Sequence, residues 1–224
     1  MLREARQVLA SELETLIDVQ AIQRRDPEDR YQTTGATWRQ YLALLDQLGD
    51  RPGFRVTYLD GVLEIVAPSL RHEDVKSRIG DLLLIYFLET DTEYYPKGST
   101  TFRQQERRGG TEADESYCIG TDKAIPDLAI EVVITSGGLN RLEVYHRLGV
   151  PEVWFWQNDR FSLYHLREET PAAFIPTFGY EAIFQSELLP YLEMERFAEY
   201  VLHPHPLTAA KTFRQHLQEN LNRS

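Results

Sequence analysis

Residues 126–141 read "PDLAIEVVITSGGLNR". The run from Leu128 to Ile134 is apolar and rich in β-branched residues, which is the composition of a strand buried on both faces. Two acids interrupt this pattern, Asp127 and Glu131. A Gly-Gly turn then leads to Arg141 at the mouth of a helix, "NRLEVYHRLG", which Gly149 and Pro151 bring to a stop. Strand periodicity puts Asp127, Ala129 and Glu131 on one face. Four residues at ~3.3 Å each hold the two acids ~13 Å apart. Oxygens that share a divalent cation must each come within ~2.0–2.6 Å of it. The partner of Glu131 therefore has to come from another strand. Asp127, directly after Pro126, reads as an edge or turn acid that supports the strand entrance.

The segment "TEADESYCI" (111–119) supplies that partner. Alternation places Glu112 and Asp114 on one face, continued by Ser116 and Cys118. If this strand pairs with 127–134, Asp114 stands beside Glu131 with ~5 Å between Cβ atoms. Two carboxylates at that spacing repel each other, and a cation relieves the repulsion. This predicts a hard-metal site for Mg²⁺ or Mn²⁺ on Asp114 and Glu131. Spacing alone also admits solvated strand residues, or acids paired with arginine. Arg141 sits against the helix macrodipole, so either Glu131 or a phosphate holds it there, or it is a surface arginine. Glu64, between Val62 and Val66 on one strand face, is either a solvent-face residue or a partly buried acid. His72 stands three residues into its helix, placed to cap, to bond an acid or to shuttle a proton; a structural histidine is the commoner role.

The remaining punctuation predicts the following organisation. Residues 1–33 read as a polar helix followed by a charged linker, 34–205 as the main domain, and 206–224 as a C-terminal helix. "TWRQYLALLDQLG" has Tyr41, Leu44, Leu45 and Leu48 at helical spacing. "FRVTYLDGVLEIVAP" is a hairpin turning at Asp60-Gly61, and "EVWFWQNDRFSLYHL" is a second one turning near Asn158-Asp159. Val75, Ile79, Leu82, Leu83 and Tyr86 form the apolar stripe of a helix over 70–89, which His72 extends. With strands at 54–67, 94–103, 113–119, 127–135 and 152–166, the expected class is α/β or α+β, a mixed sheet flanked by helices.

Composition narrows the functional classes. The net charge of −11 argues against a broad phosphate-binding coat, while leaving room for a local basic channel. A single cysteine, Cys118, excludes an internal disulfide and a thiolate metal cluster. No stretch approaches the ~18 apolar residues of a membrane span, and the N-terminal residues lack the apolar core of a signal peptide. The expectation is a cytoplasmic protein with no membrane partner. The aromatics of "EVWFWQNDRF" read as core, with a homodimer surface as the alternative.

Five blocks in order, "YLDGVLEIVAPSLRHE", "GSTTFR", "EADESYCI", "PDLAIEVVITS" and "LEVYHRLGVPEVWFW", resemble the Uma-two family of restriction-endonuclease-like proteins, in the form abundant in cyanobacteria. That family lies within the PD-(D/E)XK nuclease superfamily, and the resemblance covers about residues 36 to 200. It implies a restriction-endonuclease-like fold, a central mixed sheet flanked by helices. It also implies an active site with an acid on one strand, a glutamate on the next and a lysine on the following helix. Matched motif by motif, the acid is Asp114, the glutamate is Glu131, and Arg141 stands at the lysine position. The glutamate of the family's "DGxLE" block falls on Glu64 and its histidine on His72.

Arginine keeps the charge of the lysine it replaces, but it is always protonated, bulkier and planar. Electrostatic stabilisation survives that change; a role for a deprotonated lysine does not. Two readings follow. One is a Mg²⁺-dependent endonuclease acting on DNA, with Arg103, Arg107, Arg108 and Lys97 as either a local phosphate track or a solvated loop. The other is a catalytically inactive nuclease-fold protein that binds nucleic acid or serves in assembly. A two-carboxylate glycosidase needs acids flanking a sugar cleft, and the trailing cation argues against it.

Overall fold

The computed structural model describes residues 28–49, 53–98, 100–134, 138–168 and 172–222. In chain order the first elements are β1 (Asp29–Thr34), α1 (Trp38–Leu48), β2 (Arg55–Leu59), β3 (Val62–Ala67), α2 (Leu70–Glu89) and β4 (Tyr94–Pro96). There follow β5 (Thr101–Gln104), β6 (Gly109–Glu112), β7 (Glu115–Ile119), β8 (Leu128–Val133) and α3 (Arg141–Leu148). The last are β9 (Glu152–Gln157), β10 (Arg160–Leu166), β11 (Tyr180–Ile183), α4 (Met194–Leu202) and α5 (Pro206–Leu221). The described residues divide into two compact units, one drawn from 28–69, 101–112 and 138–148, the other from 70–100, 113–134 and 149–222.

In the first unit five strands form an antiparallel sheet in the order β1-β3-β2-β6-β5. Its centre is the hairpin foreseen at Asp60-Gly61. Both turn residues have positive φ (51° and 91°), so Leu59 pairs with Val62 across a two-residue loop. Helix α1 begins on a capping box, in which Gln40 N–H donates to the Thr37 hydroxyl and Thr37 N–H donates to the Gln40 side chain. It buries Tyr41 and Leu44 in a small core with Val56, Tyr58 and Leu63. The Tyr41 ring explains why β6 contains glycine. A Cβ on Gly110 would lie 2.9 Å from two carbons of that ring.

In the second unit six strands run in the order β11-β10-β9-β8-β7-β4, with β8 and β9 parallel and every other pair antiparallel. One face carries Leu128, Ile130, Val132, Trp154, Trp156 and Leu163, all buried in the main core. The α2 stripe Val75, Ile79, Leu82, Leu83 and Tyr86 joins that core, as do Phe197 of α4 and Phe213 and Leu217 of α5. The C-terminal helix is thus a layer of this unit's core. Burial pushes the Tyr86 hydroxyl up to about 12. Glu152 is fully buried and satisfied, accepting from Trp154 Nε1 (2.7 Å), Ser186 Oγ (2.6 Å), Glu187 N–H (3.1 Å) and, at 3.1 Å, pairing with His165 Nδ1. Among the described residues no helix is long and apolar enough to cross a membrane.

Several expectations change. Residues 29–34 are strand β1 rather than linker; the helix expected ahead of them lies outside the described residues. The strands form two sheets, and only the six-stranded one is mixed. Segment 94–103 divides between them, β4 in one and β5 in the other. Glu112 and Asp114 do not share a strand face, because Glu112 ends β6 in the five-stranded sheet and Asp114 precedes β7 in the other. Strand β6 reads "GGTE", which has little intrinsic strand preference, and forms because β2 and β5 pair with it. Trp154 and Trp156 are core residues, not a dimer surface.

Candidate active site

Asp114, Glu131 and His72 belong to the unit of the six-stranded sheet. The β7–β8 register pairs Glu115 with Ile130, Ser116 with Ala129 and Tyr117 with Leu128. The bond from Asp114 N–H to Ile130 O (3.2 Å) carries the pairing past the end of β7. That bond lies one residue off the β7–β8 register, so Asp114 and Glu115 both face Ile130 and the chain bulges at Asp114, next to the segment that bears Glu131. Both are buried, with Asp114 wholly inaccessible and Glu131 6% exposed. Asp114 Oδ2 accepts from Val132 N–H and meets His72 Nε2 at 3.1 Å. His72 is 3% exposed on the first turn of α2, and its Nδ1 lies 3.4 Å from Glu73 Oε1. Sequence periodicity had extended the α2 stripe to His72, and the same stripe brings the ring under the sheet end where Asp114 sits.

Asp127 does different work. Its Oδ2 accepts from Ile119 N–H (2.8 Å), and Lys123 Nζ contacts both carboxylate oxygens at 2.6 and 2.8 Å. It closes the 119–127 loop onto the start of β8.

Glu64 and Arg141 belong to the unit of the five-stranded sheet, and there they pair. Arg141 Nη2 donates to Glu64 Oε1 at 2.8 Å, and Nη1 donates to Thr111 Oγ1 at 3.0 Å. Thr111 Oγ1 is itself 2.9 Å from Thr57 Oγ1. Glu64 Oε2 accepts from Leu139 N–H (2.9 Å), with Arg30 Nε 4.0 Å away. The Glu64 and Arg141 side chains are 2% and 16% exposed, so this is a largely desolvated, hydrogen-bonded ion pair. Gly138, at φ 103°, lets the loop into α3 pass against it; a Cβ there would collide with Glu64 Oε2. Arg30, Thr57 and Thr111 were not singled out in the sequence. No local signal marks them: the buried acid they surround, Glu64, lies on a different strand, β3.

Three of the four cations considered as a phosphate track are engaged within their units. Arg108 pairs with Asp60 at 2.8 Å, Arg107 donates to Arg147 O at 2.7 Å, and Lys97 pairs with Asp122.

Among the described residues no group of three or more His, Cys, Asp or Glu residues is placed to hold a metal ion by itself. The donor chemistry of Asp114 and Glu131 nevertheless suits Mg²⁺, which binds through one or two carboxylates and fills its remaining positions with water and substrate oxygens.

Fold and acids together define an α+β protein of the restriction-endonuclease-like class. The family model "Uma2: Putative restriction endonuclease" matches residues 38–194, and the chain belongs to that family. No curated protein matches the chain.

Proposed function

We propose that the protein is a divalent-metal-dependent endonuclease that hydrolyses phosphodiester bonds in DNA. Family membership suggests the nuclease class and, more generally, a divalent cation and a DNA substrate. The observation that carries the finer reading is that Asp114, bonded through its N–H to Ile130 O and through Oδ2 to Val132 N–H, stands beside the β8 segment that bears Glu131.

In this reading Asp114 and Glu131 hold Mg²⁺ or Mn²⁺, which supplies a water of lowered pKa and neutralises phosphate charge. His72 Nε2 and Val132 N–H fix the rotamer of Asp114, so the carboxylate is preorganised before substrate arrives. Glu64 orients Arg141 and the start of α3. The resemblance assigns Arg141 the role of the family's lysine, and its guanidinium keeps that residue's positive charge.

The second reading, a nuclease-fold protein that binds without cutting, is favoured by one observation. The charge of Arg141 is already compensated by Glu64 at 2.8 Å. Plasmid incubated with Mg²⁺ or Mn²⁺ separates the two. Cleavage by the wild type that drops at least about 100-fold in Glu131→Ala supports the enzyme. An inert wild type whose activity appears in Arg141→Lys supports the second reading and overturns the first.

A further inference from the structure

The strand register extends the row of Glu131 across the six-stranded sheet. Glu131 of β8 pairs with Phe155 of β9, and Phe155 pairs with Ser162 of β10. Directly paired residues project from the same face. Glu131, Phe155 and Ser162 therefore form one row across the sheet, on the face opposite the one bearing Ile130, Trp154 and Leu163. In the next row Tyr164 lies diagonal to Phe155, and their rings meet edge to face with centroids 5.8 Å apart and an interplanar angle of 80°. Both rings are half-buried, whereas Ser162 is exposed. On the other side of the acid row, Gln157 pairs with Arg160, which is exposed at the β9–β10 turn. Side by side on one face stand the candidate metal-binding carboxylate of Glu131, an aromatic pair and a cation.

We infer that Phe155 and Tyr164 form a stacking subsite for one unpaired DNA base next to Glu131, so the preferred substrate is single-stranded or locally unpaired DNA. The inference rests on the nuclease reading for its ligand class. Base–aromatic stacking is sequence-tolerant because every base has a π-face. Two rings at 80° cannot both lie parallel to a base, so the pair accepts one base on the free face of one ring while the other ring props that ring in place. A base stacked in a duplex presents only its edges, and it must leave the helix to reach such a site. Arg160 is placed to meet the phosphate of the same strand. Charge argues the same way. A duplex presents one negative charge per ~1.7 Å, about twice the density of a single strand. A chain of net charge −11 whose Arg71, Arg108 and Lys97 are paired with Asp159, Asp60 and Asp122 is poorly suited to that density.

The test is fluorescence anisotropy with a short labelled oligodeoxynucleotide, single-stranded or annealed, in EDTA at low salt, where binding is read without cleavage. The single strand should bind more tightly than the duplex. Phe155→Leu and Tyr164→Leu, which keep apolar bulk but remove the π-face, should each weaken single-strand binding by about 5- to 100-fold. Tyr164→Phe should leave it within about twofold, since the stacking face is retained. Equal affinity for both forms, no binding to either, or folded leucine variants with wild-type affinity would overturn the inference. Should the leucine variants not fold, a strand carrying 2-aminopurine decides with the wild-type protein. Quenching on binding supports the stacked base, and unchanged fluorescence overturns it. Intact single-strand binding with no cleavage in Mg²⁺ or Mn²⁺ overturns the nuclease reading and leaves this subsite standing.

Discussion

Arg141 Nη2 donates to Glu64 Oε1 at 2.8 Å, joining the start of α3 to β3 across 77 positions of sequence. Arg141, which the resemblance sets at the family's lysine position, thus has a carboxylate partner inside its own unit, and Thr111 receives its second Nη. Lysine could not do both jobs. Its ammonium is a point donor on a flexible stem, whereas the guanidinium fork spans two acceptors in one plane.

Removing one member of this pair leaves a mostly buried charge uncompensated. Glu64→Ala should lower stability by about 3–5 kcal/mol, read as a fall in the urea midpoint without a change in slope. Arg141→Lys should cost about 1–2 kcal/mol, because one acceptor loses its donor. The double substitution Glu64→Gln with Arg141→Met should recover much of the first loss. A Glu64→Ala midpoint equal to wild type would show that the pair contributes nothing to folding.

Gly138 and Gly35 separate backbone strain from collision. Both have positive φ, 103° and 78°, but a Cβ meets nothing within 4 Å at Gly35 and runs into the Glu64 carboxylate at Gly138. Gly35→Ala should therefore show only the left-handed penalty, about 1 kcal/mol. Gly138→Ala should lower Tm by clearly more, and thermal melts of the two variants side by side decide it.

His72 reaches the proposed metal through Asp114, so its removal should weaken metal binding while sparing the fold. For His72→Leu, Mn²⁺ affinity by calorimetry should fall about 10- to 100-fold. His72→Gln, which keeps a donor, should fall less, and Asp114→Asn should abolish the heat signal. Unchanged Mn²⁺ affinity in His72→Leu would remove the histidine from the site.

Arg167 donates to both oxygens of Glu187, at 3.0 and 2.5 Å, and this hydrogen bonding holds the carboxyl below its ordinary 4.5. A depressed folded pKa contributes stability above the unfolded value that is lost as pH falls through the folded one. Glu187→Gln should thus destabilise at pH 7, by less than about 1 kcal/mol given its exposure. The gap to wild type should close in acid. A gap that persists at about pH 2 would mean the residue acts by packing rather than charge.

What was legible in the chain follows from the range of the physics involved. The helix over 70–89, both two-residue hairpins and the buried run at 128–133 are written locally, because their periods of 3.6 and 2 and their Asp-Gly and Asn-Asp turns need no distant partner. The exclusion of Asp127 as direct partner of Glu131 needed only the rise per strand residue. Asp114 as cross-strand candidate followed from the same arithmetic. Strand β6 was hidden because "GGTE" has no propensity of its own, so its pairing with β2 and β5 is decided by neighbours about 50 and 8 positions away. That pairing moves Glu112 into one sheet and leaves Asp114 to the other.

The partner of Arg141 was beyond local reading for the same reason. A macrodipole argument says that a cation at a helix start needs a counter-charge, but it cannot say which. By itself the sequence determined the helix over 70–89, the two hairpins and the buried run at 128–133, and that Asp127 and Glu131 could not share a cation. Tertiary structure decided which acid meets which base, because a buried charge takes the partner that packing delivers, and here packing delivered Glu64 to Arg141 and His72 to Asp114.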